Sequence, residues 1–219
     1  MSGRASRVTL ALALAVVCGG VGLAGGQTKG GVLRIPVPTM PTGYVITLTG
    51  ALADVLEEKL LYSALVRYDE KTLQPAPSLA TEWKAESGAR VWTFKLRRGV
   101  KWHDGKDFTA DDVKFTFDTI FDKSVRARQR GNMGPLEKVE VVDPLTVRFT
   151  FKEAFAPFPA MAGYNAGIVP RHALAGQDLN TPAEFMKRPI GTGPFRFKEA
   201  VAGSHVVLEA NPDFWEGKP

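Results

Sequence analysis

The chain has 219 residues, 44% of them hydrophobic, which is enough to bury a core in one domain or two small ones and too apolar for a disordered chain. Lys and Arg number 28 against 23 Asp and Glu. Setting aside Arg4 and Arg7, the basic excess falls from five to three and is dispersed among acids rather than striped, which excludes the electrostatic footprint of a nucleic-acid binder.

Residues 1–26 read as an export signal. "MSGRASR" is a basic start, "VTLALALAVVC" an apolar run too short to span a bilayer, and small residues follow, with Gly22 and Ala24 fitting cleavage after Ala24. Cys18 has two readings: the lipid-bearing residue of a lipoprotein, against which Val17 stands where a small residue is wanted, or an ordinary cysteine discarded with the peptide. It is the single cysteine, so the mature chain is expected to have no disulfide, thiol nucleophile or thiolate metal site.

After the signal, residues 32–37 predict a short apolar strand, broken by Pro36, Pro38 and Pro41 into the loop "TMPTGY". Residues 50–67 predict a helix, with Leu52, Val55, Leu56, Leu60 and Leu61 at helical spacing. "RYDEKTLQPAPSLA" is turn-rich and expected to be exposed. "RVWTFKL" alternates Trp92, Phe94 and Leu96 against polar residues, the period of a strand with one buried face.

The next stretch, "RRGVKWHDGKDFTADDVKFTF", packs His103, Asp104, Asp107, Asp111 and Asp112 into ten positions. One reading is chemistry, a metal-dependent hydrolase using His103, Asp104 and Asp107. The other is architecture: Asp104-Gly105 as a tight turn, Thr109 and Asp112 as a capping box, Asp111 and Asp112 in the first helical turn where the dipole favours anions, and Val113, Phe117, Ile120 and Phe121 as the buried face. The architectural reading is preferred, because no second histidine stands at metal-ligand spacing; His172 and His205 lie far along the chain.

Residues 136–151 predict a hairpin turning at Asp143-Pro144. "RHALAG" predicts a short helix ended by Gly176, and "TPAEFM" another with Thr181 as cap and Pro182 at its first position. Residues 195–199 and 204–210 predict two strands joined by Ala202-Gly203. The elements mix strand and helix without a repeat, so the class is α/β or α+β.

No serine has the G-x-S-x-G surround of a nucleophile elbow. "PIGTGPF" lacks the Lys and Ser/Thr of a phosphate loop, and reads instead as a tight turn that lets backbone pass close to a neighbour. With no catalytic set, the candidate solute contacts are loop residues on a rigid frame: Met40 and Tyr44, then Arg128, Arg130, Asn132 and Met133, then Tyr164 and Asn165.

The ordered blocks "LYSALVRYDEKTLQPAPSLATEWK", "VWTFKLRRGVKWHDGKDFTADDVKFTF", "VVDPLTVRFTF", "IVPRH", "PIGTGPFRF" and "LEANPDFWEGKP" together resemble the extracellular solute-binding proteins of family 5, the dipeptide, oligopeptide and nickel receptors of ABC importers. The resemblance runs from Gly31 to Pro219, although "VPTMPTGY" departs from the Leu-Asp-Pro-like piece usual in the family. It implies an α/β fold of the periplasmic-binding-protein type II kind: a first lobe with an inserted α+β subdomain, the second lobe missing. Residues 31–68 and 185–219 would then form part of lobe I and residues 69–184 the insertion. It further implies a non-enzymatic, exported, periplasmic receptor for a peptide or similar small solute, working with an ABC permease and needing no cofactor. No ligand residue transfers by motif. A third reading is a lipid-anchored scaffold without ligand.

Overall fold

The structure, a computed structural model, describes residues 30–39 and 52–219. The chain divides into two compact units, Met1–Pro36 and Val37–Pro219. In the first, residues 30–36 form no strand, and Val32 and Leu33 are 86% and 84% exposed. The expected strand at 32–37 is therefore corrected: Pro36 and Pro38 offer no N–H to a ladder. The expected export signal, Cys18, Met40 and Tyr44 lie outside the described residues.

In the second unit, α1 runs Leu52–Leu61 and stops short of the expected end at 67. Its C-terminal turn is what docks. Leu61 and Glu58 are buried, whereas Leu56, expected inside, is 43% exposed. The chain then straightens through Leu65 into β1 (Val66–Tyr68), which pairs antiparallel with β2 (Pro75–Pro77). The turn-rich, exposed segment expected there forms the bend of this hairpin, with residues 70–74 exposed. Asp69 shapes its bend, accepting the amides of Lys71 and Thr72 at 3.1 and 2.8 Å.

The main sheet has four antiparallel strands in the order β3-β4-β6-β5: Ala80–Glu86, Val91–Leu96, Thr146–Phe151 and Leu136–Asp143. As the alternation required, Phe94 and Leu96 are buried and Trp92 nearly so, with Trp92 opposite Phe149 and Phe94 opposite Val147. Helix α2 (Ala110–Phe121) lies against β5 and β6 and buries Val113, Phe117 and Ile120. Helix α3 (Phe158–Asn165) packs against β1 and β2. The core is an aromatic cluster. Phe149 meets Phe117 at 4.8 Å and Phe158 at 4.7 Å between ring centres, and Phe151 meets Phe158 at 4.8 Å. Each such ring, fully buried, contributes about 2–3 kcal/mol of transfer free energy.

A second, smaller core gathers Leu61, Tyr62, Val169, Leu174 and Phe185 under the short helices α4 (Arg171–Leu174) and α5 (Ala183–Lys187). The β7–β8 hairpin (Phe195–Val201, His205–Ala210) packs Phe197 and Leu208 onto it. Helix α5 begins one residue later than expected: Pro182 is its cap, because the Thr181 hydroxyl is taken by the Asp178 carboxylate at 2.7 Å. Among the described residues no helix is long and apolar enough to cross a membrane.

Candidate functional site

Leu96 ends β4, and Val100 and Trp102 bury themselves before the chain reverses. The Trp102 amide donates to the Lys106 carbonyl and the Gly105 amide to the Trp102 carbonyl, both at 2.8 Å, with Gly105 at φ +86°. That tight turn throws the clustered polar residues in different directions.

His103 faces the 191–193 turn. The Gly191 N–H donates to His103 Nδ1 at 3.1 Å, so the ring proton resides on Nε2, which donates to the Gly193 carbonyl at 3.1 Å. The His103 amide donates to the Gly191 carbonyl at 2.9 Å. Burial holds this imidazole down at about 4, helped by the nearby Arg196 charge. Asp104 points to His172, 2.8 Å from its Nε2. Burial would raise the Asp104 carboxyl, but the bonds from His172 and the Lys106 amide hold it below the usual carboxylate range. Asp107 pairs with Lys101 at 2.7 Å.

Asp112 is buried at the start of α2 and accepts three donors: the Thr109 amide at 3.0 Å, which closes the expected capping box, the Arg171 amide at 3.0 Å and the Trp102 indole at 3.3 Å. Burial nevertheless pushes its carboxyl up. The hydrolase reading of His103, Asp104 and Asp107 therefore fails on geometry: the three side chains serve three separate partners. Among the described residues no group of three His, Cys, Asp or Glu converges as a metal set.

The 191–193 turn joins the elements of this unit. A Cβ on Gly191 would lie 1.7 Å from the Leu61 carbonyl oxygen, and one on Gly193 would lie 2.4 Å from that of Leu60. Only glycine lets the turn press against the end of α1, where the Gly193 amide donates to Leu61 at 2.9 Å. Around it Ser63 and Thr192 satisfy each other's backbone, and Asn211 serves the turn itself. Ser63 Oγ donates to the Thr192 carbonyl at 3.2 Å, and Asn211 Nδ2 donates to that of Gly193 at 3.1 Å. Trp215 closes the junction, its indole donating to Ser63 Oγ at 3.4 Å and its ring lying 4.6 Å beneath the Arg97 guanidinium. This junction was missed in the sequence as a unit. The glycine spacing in "GTGPF" signalled one half of it, and nothing local signalled its partners.

Among the described residues the loop candidates lie on or beside two neighbouring elements, the 3-10 turn Arg128–Asn132 and α3. Arg130 caps the end of α2, its Nε donating to the Ile120 carbonyl at 2.7 Å and one terminal nitrogen to those of Asp122 and Val125 at 2.5 Å each. Met133 is fully buried in the main core. Both side chains serve the frame, a guanidinium on helix-end carbonyls and a thioether buried in the core. Arg128 and Asn132 are exposed on the 3-10 turn Arg128–Asn132. Tyr164 and Asn165 end α3.

A cleft of about 230 Å³ lies between the 101–105 turn and residues Arg196, Asn211 and Asp213. Its cations already have anions, Arg196 with Asp213 at 2.6 Å and Lys101 with Asp107. At that volume it falls short of the usual small-molecule pocket.

The family model of bacterial extracellular solute-binding proteins, family 5 Middle, matches residues 74–219, and the chain belongs to that family. The oligopeptide-binding protein AppA of Bacillus subtilis is 38% identical over 165 residues, covering 74% of this chain and 30% of AppA. Di/tripeptide-binding protein 2 of Pseudomonas aeruginosa is 34% identical over 178 residues, covering 73% of this chain and 34% of that protein.

Among solved structures, AppA from Bacillus subtilis in complex with a nonapeptide superposes with a TM-score of 0.78 at 36% identity, covering 82% of this chain and 36% of that one. NikZ from Campylobacter jejuni in complex with Ni(L-His) gives 0.74 at 30% identity, covering 82% and 35%. The chain thus spans about a third of the length of these relatives.

Proposed function

We propose that these residues are the first-lobe part of a periplasmic receptor that captures a peptide, or a comparable small solute, and delivers it to an ABC permease. The observation that carries this is the likeness, in sequence and in backbone, to relatives named for binding oligopeptides and di- or tripeptides. The NikZ complex keeps nickel chelates in the range of solutes to be tested. In this reading residues 1–26 direct export, with Cys18 as the position to check for lipid.

The division into residues 31–68 with 185–219, and 69–184 as an insertion, is part of the same proposal. Its support is the separation of the two cores, the larger built on the four-stranded sheet and the smaller on α1 and the β7–β8 hairpin. Val169 and Leu174 in the smaller core, and Leu65 and Val66 in the larger, cross that line, as residues at a subdomain seam do. Closure of a second lobe over the solute would supply the buried contacts from which affinity arises. Met40, Tyr44, Arg128, Asn132, Tyr164 and Asn165 are the positions proposed to face solute.

Native mass spectrometry of the full-length gene product, purified without denaturation, tests the reading. It predicts added mass resolving into peptides or a small organic solute, and loss of that mass after unfolding and refolding. A receptor that carries nothing, and takes up nothing from a mixture of di- to nonapeptides, would contradict it.

A further inference from the structure

The His103 ring bridges two segments 88 residues apart in the chain, and both of its nitrogens are committed to backbone. Its Nδ1 accepts the Gly191 N–H while its Nε2–H donates to the Gly193 carbonyl, an arrangement that only the neutral Nε2–H tautomer can make. A second ring proton would sit on Nδ1, facing the Gly191 N–H head-on, donor against donor. The turn cannot rotate to relieve this, because Gly191 and Gly193 are pressed against Leu61 and Leu60. We propose that His103 is an acid-sensitive clamp: neutral, it fastens the 191–193 turn to the 102–105 turn; protonated, it releases that joint.

The groups around the ring come from both sides. Arg196, on β7, disfavours the charged ring, and Asp104, from the histidine's own turn, favours it. Asp213 and Lys101 share the adjoining cleft, each already paired, with Arg196 and Asp107 respectively. The facing end of α1 supplies the Leu61 carbonyl, which accepts the Gly193 amide. The imidazole is lowered from 6.5 to about 4 in the folded state, so the open state binds more protons between those values. The clamp is therefore at full strength above about pH 6.5 and weakens as pH falls toward 4. This inference is independent of which solute the chain binds.

Hydrogen exchange of the full-length gene product, corrected for the intrinsic pH dependence of exchange, tests it. Amides of residues 190–193 and of Phe195 should open more easily by up to about tenfold per pH unit as pH falls through that window, as uptake of one proton requires. Amides of β4 and β6, buried in the sheet, should change far less. His103→Gln, whose amide accepts and donates without titrating, should flatten the dependence. The same pH dependence in His103→Gln as in the wild type would overturn the proposal. Should that variant not fold, nitrogen chemical shifts of the wild-type ring decide. A neutral Nε2–H tautomer persisting to about pH 4 supports the clamp, and titration near 6.5 overturns it.

Discussion

At Gly191 a single missing Cβ lets the end of one helix and the start of one strand share a joint. Gly191→Ala would put a methyl 1.7 Å from the Leu61 carbonyl oxygen, a contact with backbone that cannot swing aside. We predict a loss of about 3 kcal/mol or more in urea unfolding, at the upper end of overpacking costs. Asp112→Ala removes the acceptor of three N–H donors at once. It should cost about 2–4 kcal/mol in the same measurement, since the Trp102 indole and the Arg171 amide are left without an acceptor. At this scale the sequence was half legible. The Asp104-Gly105 turn and the Thr109/Asp112 cap are local and could be read from spacing. The partners of His103, Asp104 and Asp112 lie 88, 68 and 59 residues away and left no mark near them.

The elements with strong alternation or helical period were found: β4, α2, the β5–β6 hairpin and the β7–β8 hairpin stand where the pattern put them. β3 leaves little trace in the sequence, because Glu82, Lys84 and Glu86 alternate with Thr81, Trp83 and Ala85, too little apolar surface to show a face. It is an edge strand, so its outer side needs little. The β1–β2 hairpin was hidden by Pro75 and Pro77, whose missing amides an edge strand tolerates. Two predictions belong to this scale. Phe149→Ala, at the centre of the ring cluster, should cost about 3–5 kcal/mol by thermal or urea unfolding. Arg130→Ala should cost about 2 kcal/mol and raise hydrogen exchange at the C-terminal turn of α2, whose carbonyls it now serves. If Arg130 were instead a solute contact, stability would hold and binding would fall.

For the molecule as a whole, family and fold were legible from six ordered blocks, while the solute contacts were not. The candidate loops stand out by position alone, and two of their residues, Arg130 and Met133, have side chains engaged in the frame. The chain spans about a third of the length of its relatives. The decisive measurement is isothermal titration calorimetry of the full-length gene product against dipeptides, oligopeptides, nickel chelates and opines. A solute receptor predicts saturable heat with at least one of these classes and a negative heat-capacity change from apolar burial. Flat traces with all of them, from protein shown to be folded, would contradict the assignment.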